Sequence, residues 1–210
     1  MPEITVRDAL QQLGNTPSVL LSSFEGISMV KIHDDETRYA NTLLSKKRRN
    51  EFLAGRRLIR VALGDIAPVL PSTSRAPQFP RGIYGSLSHS EGYIGFAHAK
   101  ANPIGLDLQV NRDVSNGFRK RICASKAEEH IEPVRLFSAK EAAYKALMPW
   151  HDFIFFPRYI ELASGENGCF TVVSVKGEPP KRSVTITQWE EHPPGSAREY
   201  IISIAGTPSQ

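Results

Sequence analysis

The chain has 210 residues, 40% hydrophobic and 23% charged, the balance of a folded globular protein with one large core or two small ones, not of a disordered chain. No apolar run approaches the ~18 residues of a membrane span, and Cys123 and Cys169, with no Cys-x-x-Cys or Cys/His spacing around them, speak against a zinc site or a disulfide framework. The net charge of +4 is concentrated: residues 46–60 hold seven basic side chains against Glu51, leaving −2 for the rest, so a phosphate-rich partner, small molecule or nucleic acid, is expected at one segment.

Residues 1–13 carry acids and glutamines and lack the basic stretch and apolar core of a secretory leader, so a cytoplasmic protein is expected. Residues 6–13 read as a short helix ended by Gly14-Asn15-Thr16-Pro17, and residues 18–32 as extended chain broken near Glu25-Gly26. From Asp35 the pattern is helical to Leu63, with Gly64 as the stop. On this helix Arg49, Arg56 and Arg60 form one stripe beside an apolar face of Phe52, Ile59 and Leu63. That stripe suits a phosphate ligand or is simply a solvated charged face.

Residues 67–80, rich in Pro and Ser, read as a loop. Next comes Gly85-Ser86-Leu87-Ser88-His89, with Leu87 on one face of a strand and Ser86 and Ser88 on the other, ending at His89. A histidine between two serines at a strand end can donate to a phosphate, with a hydroxyl as second donor; a turn histidine without function is the plainer alternative. Residues 93–99 alternate like a second strand, and Ala101-Asn102-Pro103 marks an internal boundary between halves 1–103 and 104–210.

The stretch Ile104-Gly105-Leu106-Asp107-Leu108-Gln109 alternates strictly. Ile104, Leu106 and Leu108 ask for a core, while Gly105, Asp107 and Gln109 place a carboxylate and an amide beside a glycine that lets something approach the backbone. Residues 111–135 mix basic side chains with short helices, and Ser125-Lys126-Ala127-Glu128 has capping-box form. Ser138 starts a helix by the same rule, giving Glu141 a capping role and Lys145 an ordinary helix pairing as the plain alternatives to function. Ala142, Ala143, Ala146 and Leu147 form its buried side, so Glu141, Lys145 and Met148 share the other. Beyond Trp150, residues 153–162, 169–176, 183–189 and 200–204 read as strands separated by Gly and Pro turns, and residues 207–210 as a frayed end.

Taken together, Gly85-Ser86-Leu87-Ser88-His89, the Ile104 to Gln109 strand and Phe137-Ser138-Ala139-Lys140-Glu141-Ala142-Ala143-Tyr144-Lys145-Ala146 resemble the 4′-phosphopantetheinyl transferases, in the order of their monomeric class. Arg75-Ala76-Pro77-Gln78-Phe79-Pro80-Arg81-Gly82 and Phe52-Leu53-Ala54-Gly55-Arg56-Arg57 are similar to the enterobactin-synthetase type within it. The resemblance implies an α+β fold of two similar subdomains in pseudo-twofold arrangement, with the active site in the cleft between them. It also implies a monomeric enzyme that moves the phosphopantetheine arm of coenzyme A onto a serine of an acyl or peptidyl carrier protein, with Mg²⁺, releasing adenosine 3′,5′-bisphosphate. Carried onto this chain, Asp107, Gln109 and Glu141 match the metal positions, Glu141 and Lys145 the catalytic ones, and Ser88, His89, Arg49, Arg56 and Arg75 the coenzyme contacts. The carrier would dock near residues 111–135, with Phe118 and neighbouring basic residues as candidates.

One position departs from the family pattern, which has Glu where this chain has Gln109. An amide oxygen can still meet a hard cation but brings no charge, which predicts weaker metal binding. Two readings of other classes stand beside the transferase: a catalytically silent coenzyme A or carrier-binding protein, and a basic nucleic-acid-binding module, for which the chain has no recognisable signature.

Overall fold

The computed structural model describes residues 5–8, 17–73, 76–151 and 154–207. They form an α+β fold with two antiparallel sheets. The first half supplies β1 (Thr5–Asp8), β2 (Ser18–Ser23), α1 (Asp34–Thr42), α2 (Lys46–Leu63), β3 (Tyr84–Ser90) and β4 (Tyr93–Ala99), in a sheet of order β1-β2-β4-β3. The second supplies β5 (Ile104–Val110), α3 (Asn116–Ile122), α4 (Pro133–Leu147), β6 (Ile160–Ser164), β7 (Cys169–Val175), β8 (Thr185–Glu191) and β9 (Tyr200–Gly206), in the order β5-β9-β8-β7-β6. Among the described residues no helix is long and apolar enough to cross a membrane.

Each sheet buries one face under a helix. Ala54, Leu58 and Ile59 of α2 pack with Leu20, Ile94 and Phe96, and the alanine-rich side of α4 packs on Ile160, Leu162, Phe170, Val172 and Ile186. A third cluster crosses the 103/104 boundary, joining Val19, Leu21, Ala97 and Ala99 to Leu106, Leu108, Val110, Ile202 and Ile204. The alternation of β5 therefore has a physical origin: its apolar set lies in this shared core, and its other face meets α4. Gly105 is the contact point, where a Cβ would lie 1.9 Å from the Ala142 carbonyl oxygen.

The edges β3 and β5 are joined by side chains. Ser86 Oγ accepts from the Leu106 amide at 2.8 Å, Ser88 Oγ from Leu108 at 3.1 Å and Ser90 Oγ from Val110 at 3.3 Å. Three hydroxyls at period two thus hold every second amide of β5, and the two strands run parallel across the seam.

Several local expectations are corrected. Where a helix is expected over residues 6–13, residues 5–8 form a strand because they register on β2, Thr5 opposite Leu21 and Asp8 opposite Ser18; residues 9–13 lie outside the described residues. The helix expected over 35–63 is two helices, divided where Leu43 is extended and the Ser45 side chain caps α2 through the Arg48 amide. Helix α4 starts at Pro133, with Glu132 accepting from the Val134 and Arg135 amides at 3.0 and 2.8 Å. Ser138 is consequently mid-helix and buried, 2.8 Å from Ser203 Oγ. Ser125 makes no side-chain cap, and Glu128 points into the core instead. The strand expected over 153–162 begins only at Ile160, after a 3₁₀ turn at Pro157–Tyr159, with residue 153 outside the described residues.

Candidate active site

Strand β5, helix α4 and strand β3 converge on Asp107, which is 1% exposed. Its Oδ1 accepts from Ser88 Oγ at 2.9 Å and from Lys145 Nζ at 3.2 Å, and its Oδ2 from Gln109 Nε2 at 2.9 Å. Lys145 Nζ also donates to the Leu106 carbonyl at 2.8 Å, which holds the ammonium against β5. The same Gln109 Nε2 donates to Glu141 Oε2 at 3.3 Å. Two carboxylates from different elements therefore meet at one small donor group. With only carboxylate acceptors facing it, the amide must turn its NH₂ side inward.

Glu141 is held protonated to about 7, first by burial, then by the charge of Asp107 and a hydrogen bond to it; Lys145 and the Gln109 donor pull the other way. A carboxyl ionising near neutrality, beside a fixed ammonium, is suited to taking up a proton from a hydroxyl. The donor set is also one for a hard cation. Asp107 and Glu141 offer carboxylate oxygens, and the Gln109 amide offers a third oxygen when turned over, the chemistry that Mg²⁺ or Mn²⁺ prefers and that thiolate-seeking metals do not. Among the described residues no group of three or more His, Cys, Asp or Glu could hold a metal, so any such site rests on two carboxylates, with Gln109 in the third place.

His89 follows Ser88 at the rim, with Nε2 3.6 Å from Glu51 Oε2 of α2. Burial lowers its pKa, opposed by Glu51 and assisted by Lys145 and Lys47, which favours the neutral ring. Lys46, Lys47 and Arg48 stand exposed at the start of α2, giving this side of the rim its positive charge. Glu51, missed in the sequence as a site residue, was signalled only by being the lone acid in a basic run.

The arginine stripe does not face outward as a row. Arg56 is buried, donating Nε to the Val69 carbonyl with its guanidinium 4.2 Å from the centre of the Phe52 ring, and burial lowers its pKa to about 10. Arg57 holds the Val30 carbonyl, and Arg60 holds Ile66 and the buried Glu36. Arg49 Nη2 donates to the Leu43 carbonyl at 2.9 Å, bracing the α1–α2 break. These cations tether loops to α2, which corrects the reading of a solvated stripe. The structure thus brings together Asp107, Gln109, Glu141, Lys145 and Ser88, with His89 beside them; Arg49 and Arg56 lie on α2 in these tethers, and Arg75 is outside the described residues.

Comparison with known proteins bears on the same region. Residues 35–99 match the model of the 4′-phosphopantetheinyl transferase N-terminal domain. Over 121 residues the chain is 31% identical to the 4′-phosphopantetheinyl transferase Svp of Streptomyces mobaraensis, a span of 49% of either protein. Over this stretch the chain is similar to the 4′-phosphopantetheinyl transferases. It is 34% identical over 120 residues to the transferase PptT of Mycobacterium tuberculosis, covering 49% of this chain and 52% of that one. To the transferase Npt of Nocardia iowensis it is 32% identical over 120 residues, covering 50% and 54%. The chain spans about half the length of the curated relatives it matches. The match to the transferase N-terminal domain takes in α1, α2, β3 and β4, and with them Ser88 and His89; Asp107, Gln109, Glu141 and Lys145 follow it in the chain.

Proposed function

We propose that this protein transfers the 4′-phosphopantetheine arm of coenzyme A to a serine of an acyl or peptidyl carrier protein, releasing adenosine 3′,5′-bisphosphate. The observation that carries the reading is the convergence of Asp107, Glu141 and Lys145 at the seam of the two sheets. The transferase relatives make coenzyme A and a carrier protein the expected substrates.

In this reading the carrier serine oxygen bonds to the β-phosphorus of the pyrophosphate, and the bond from that phosphorus to the bridging oxygen breaks, leaving the electron pair on adenosine 3′,5′-bisphosphate. Glu141 takes the serine proton as the carboxylate that α4 brings beside Asp107 and Lys145. Lys145, fixed by Leu106 and Asp107, presents its ammonium to the charge that builds on the phosphoryl oxygens. His89 and the exposed Lys47 offer the coenzyme phosphates a donor and a charge at the rim. Asp107 and Glu141 would hold Mg²⁺, with the Gln109 oxygen joining them once its amide turns over, and the ion would supply positive charge for the pyrophosphate. A pocket of about 440 Å³ opens from Gln109 toward Arg112, Phe118, Arg121 and Phe137, and is the surface we assign to the carrier.

The tethered arginines of α2 weigh against a nucleic-acid module, since Arg56, Arg57 and Arg60 are bound to the protein's own loops. Gln109 favours one second reading, a coenzyme A or carrier-binding protein without turnover, because its NH₂ group already bridges the two carboxyl groups where a metal would sit. Incubation with an apo carrier protein, coenzyme A and Mg²⁺, read by intact mass, separates the two. A carrier heavier by one phosphopantetheine is expected. An unmodified carrier, under conditions where a reference transferase loads it fully, overturns the transferase reading.

A further inference from the structure

We infer that Ser88 is a positioning residue for Asp107 and not a phosphate contact. A serine hydroxyl has one proton to donate. In Ser88 that proton goes to Asp107 Oδ1 at 2.9 Å, while the oxygen accepts the Leu108 amide at 3.1 Å. Ser88 is 7% exposed and Asp107 1%. With its one proton engaged inside the seam, the hydroxyl has nothing left to donate to a phosphate outside it. The two bonds make a lever: β3 fixes the oxygen on the amide of the residue after Asp107, and the same hydroxyl fixes which carboxylate oxygen turns toward Ser88 and Lys145 and which toward Gln109.

The neighbouring serine provides an internal control. Ser86 makes the same seam bond to the Leu106 amide at 2.8 Å and is buried to a similar degree, at 5% exposed. It has no carboxylate partner among the described hydrogen bonds. Loss of the seam bond alone must therefore affect Ser86→Ala and Ser88→Ala alike, whereas loss of orientation affects only the second.

The inference rests on the metal site of the proposed function, and its test reads that site without turnover. Mn²⁺ binding to the full chain is measured by electron paramagnetic resonance for wild type, Ser86→Ala, Ser88→Ala and Ser88→Thr. Coenzyme A affinity is measured in EDTA, and exchange of the Leu106 and Leu108 amides by NMR. Ser88→Ala is expected to weaken Mn²⁺ by about fivefold or more, and Ser86→Ala and Ser88→Thr by less than about twofold. Coenzyme A affinity of Ser88→Ala in EDTA is expected to stay within about twofold of wild type, as a hydroxyl whose proton is given to Asp107 requires. Amide exchange should speed up at Leu106 in Ser86→Ala and at Leu108 in Ser88→Ala, showing that each seam bond was removed. Equal effects of the two alanine variants on Mn²⁺, or loss of coenzyme A affinity in EDTA by Ser88→Ala, overturn the inference while the transferase reading stands. A wild type that binds no Mn²⁺ removes the metal site and this inference with it.

Discussion

Gly105 lies so close beneath Ala142 that a Cβ on it would stand 1.9 Å from the Ala142 carbonyl oxygen and 2.8 Å from the Ala146 nitrogen. Both neighbours are backbone atoms of α4, which cannot swing aside as a long side chain can. This contact sets the distance between the helix bearing Glu141 and Lys145 and the strand bearing Asp107. Gly105→Ala is expected to lift α4, cost at least about 2–3 kcal/mol in urea denaturation and abolish transfer. Wild-type stability in that variant would mean that the helix does not rest on this glycine.

Gln109 holds two carboxylates with one NH₂ group, and Gln109→Glu replaces that donor with a third negative charge. In EDTA the variant should lose about 1–3 kcal/mol, from the lost donor and the added repulsion. Mg²⁺ should then raise its melting temperature more than that of wild type, and half-saturation by Mg²⁺ should fall by about tenfold, equivalent to 1.4 kcal/mol. Identical metal dependence of the two proteins counts against a role for Gln109 in the site.

Glu141 makes metal-free stability depend on pH, with a definite sign. In the folded chain it stays protonated to about 7, against an ordinary value of 4.5. Between these values the folded state binds more protons than the unfolded one, so stability falls as pH rises through the window. At ~1.36 kcal/mol per unit the effect is at most on the order of 3 kcal/mol. Denaturation in EDTA from below pH 4.5 to above 7 should show this fall in wild type and not in Glu141→Gln, which cannot ionise. Parallel curves would show that Glu141 is not held protonated. The same variant should lose transfer, and near-normal transfer at saturating Mg²⁺ removes Glu141 as the base.

One residue before Glu141, Lys140 is fully buried, with Nζ 2.7 Å from Glu128 Oε2 and 2.8 Å from the Ile122 carbonyl. Glu128 also accepts the Leu162 and Ala124 amides. Burial lowers the lysine pKa and the Glu128 bond opposes it. Lys140→Met strands a buried carboxylate and should cost about 3–5 kcal/mol by chemical denaturation. Adding Glu128→Gln removes the stranded charge and should return a large part of that loss. A single variant within about 1 kcal/mol of wild type would show that the pair is not needed.

The site was legible where its signals are local. Asp107 stood out by alternation in β5, and Glu141 and Lys145 by sharing the face opposite four buried alanine and leucine positions. What stayed hidden depends on distant partners. The α2 arginines bond carbonyls in loops remote from their helix turn, so no helical wheel reveals them. Ser138 has the sequence form of a cap, yet Glu132 and Pro133 begin the helix earlier and Ser203 gives the buried hydroxyl its partner. Strand β1 exists through its register on β2, which nothing within residues 5–8 announces.

The serine seam also limits how the two sheets can be offset. A slip of one residue would present Gly85, Leu87 and His89 to the amides of β5, and none of these carries a hydroxyl. The join therefore behaves like a ratchet with a tooth every second residue. Intermediate settings are unbonded, and a full notch would part Ser88 from Asp107. A loop between β4 and β5 can change length without altering this alignment, so long as the three teeth still engage.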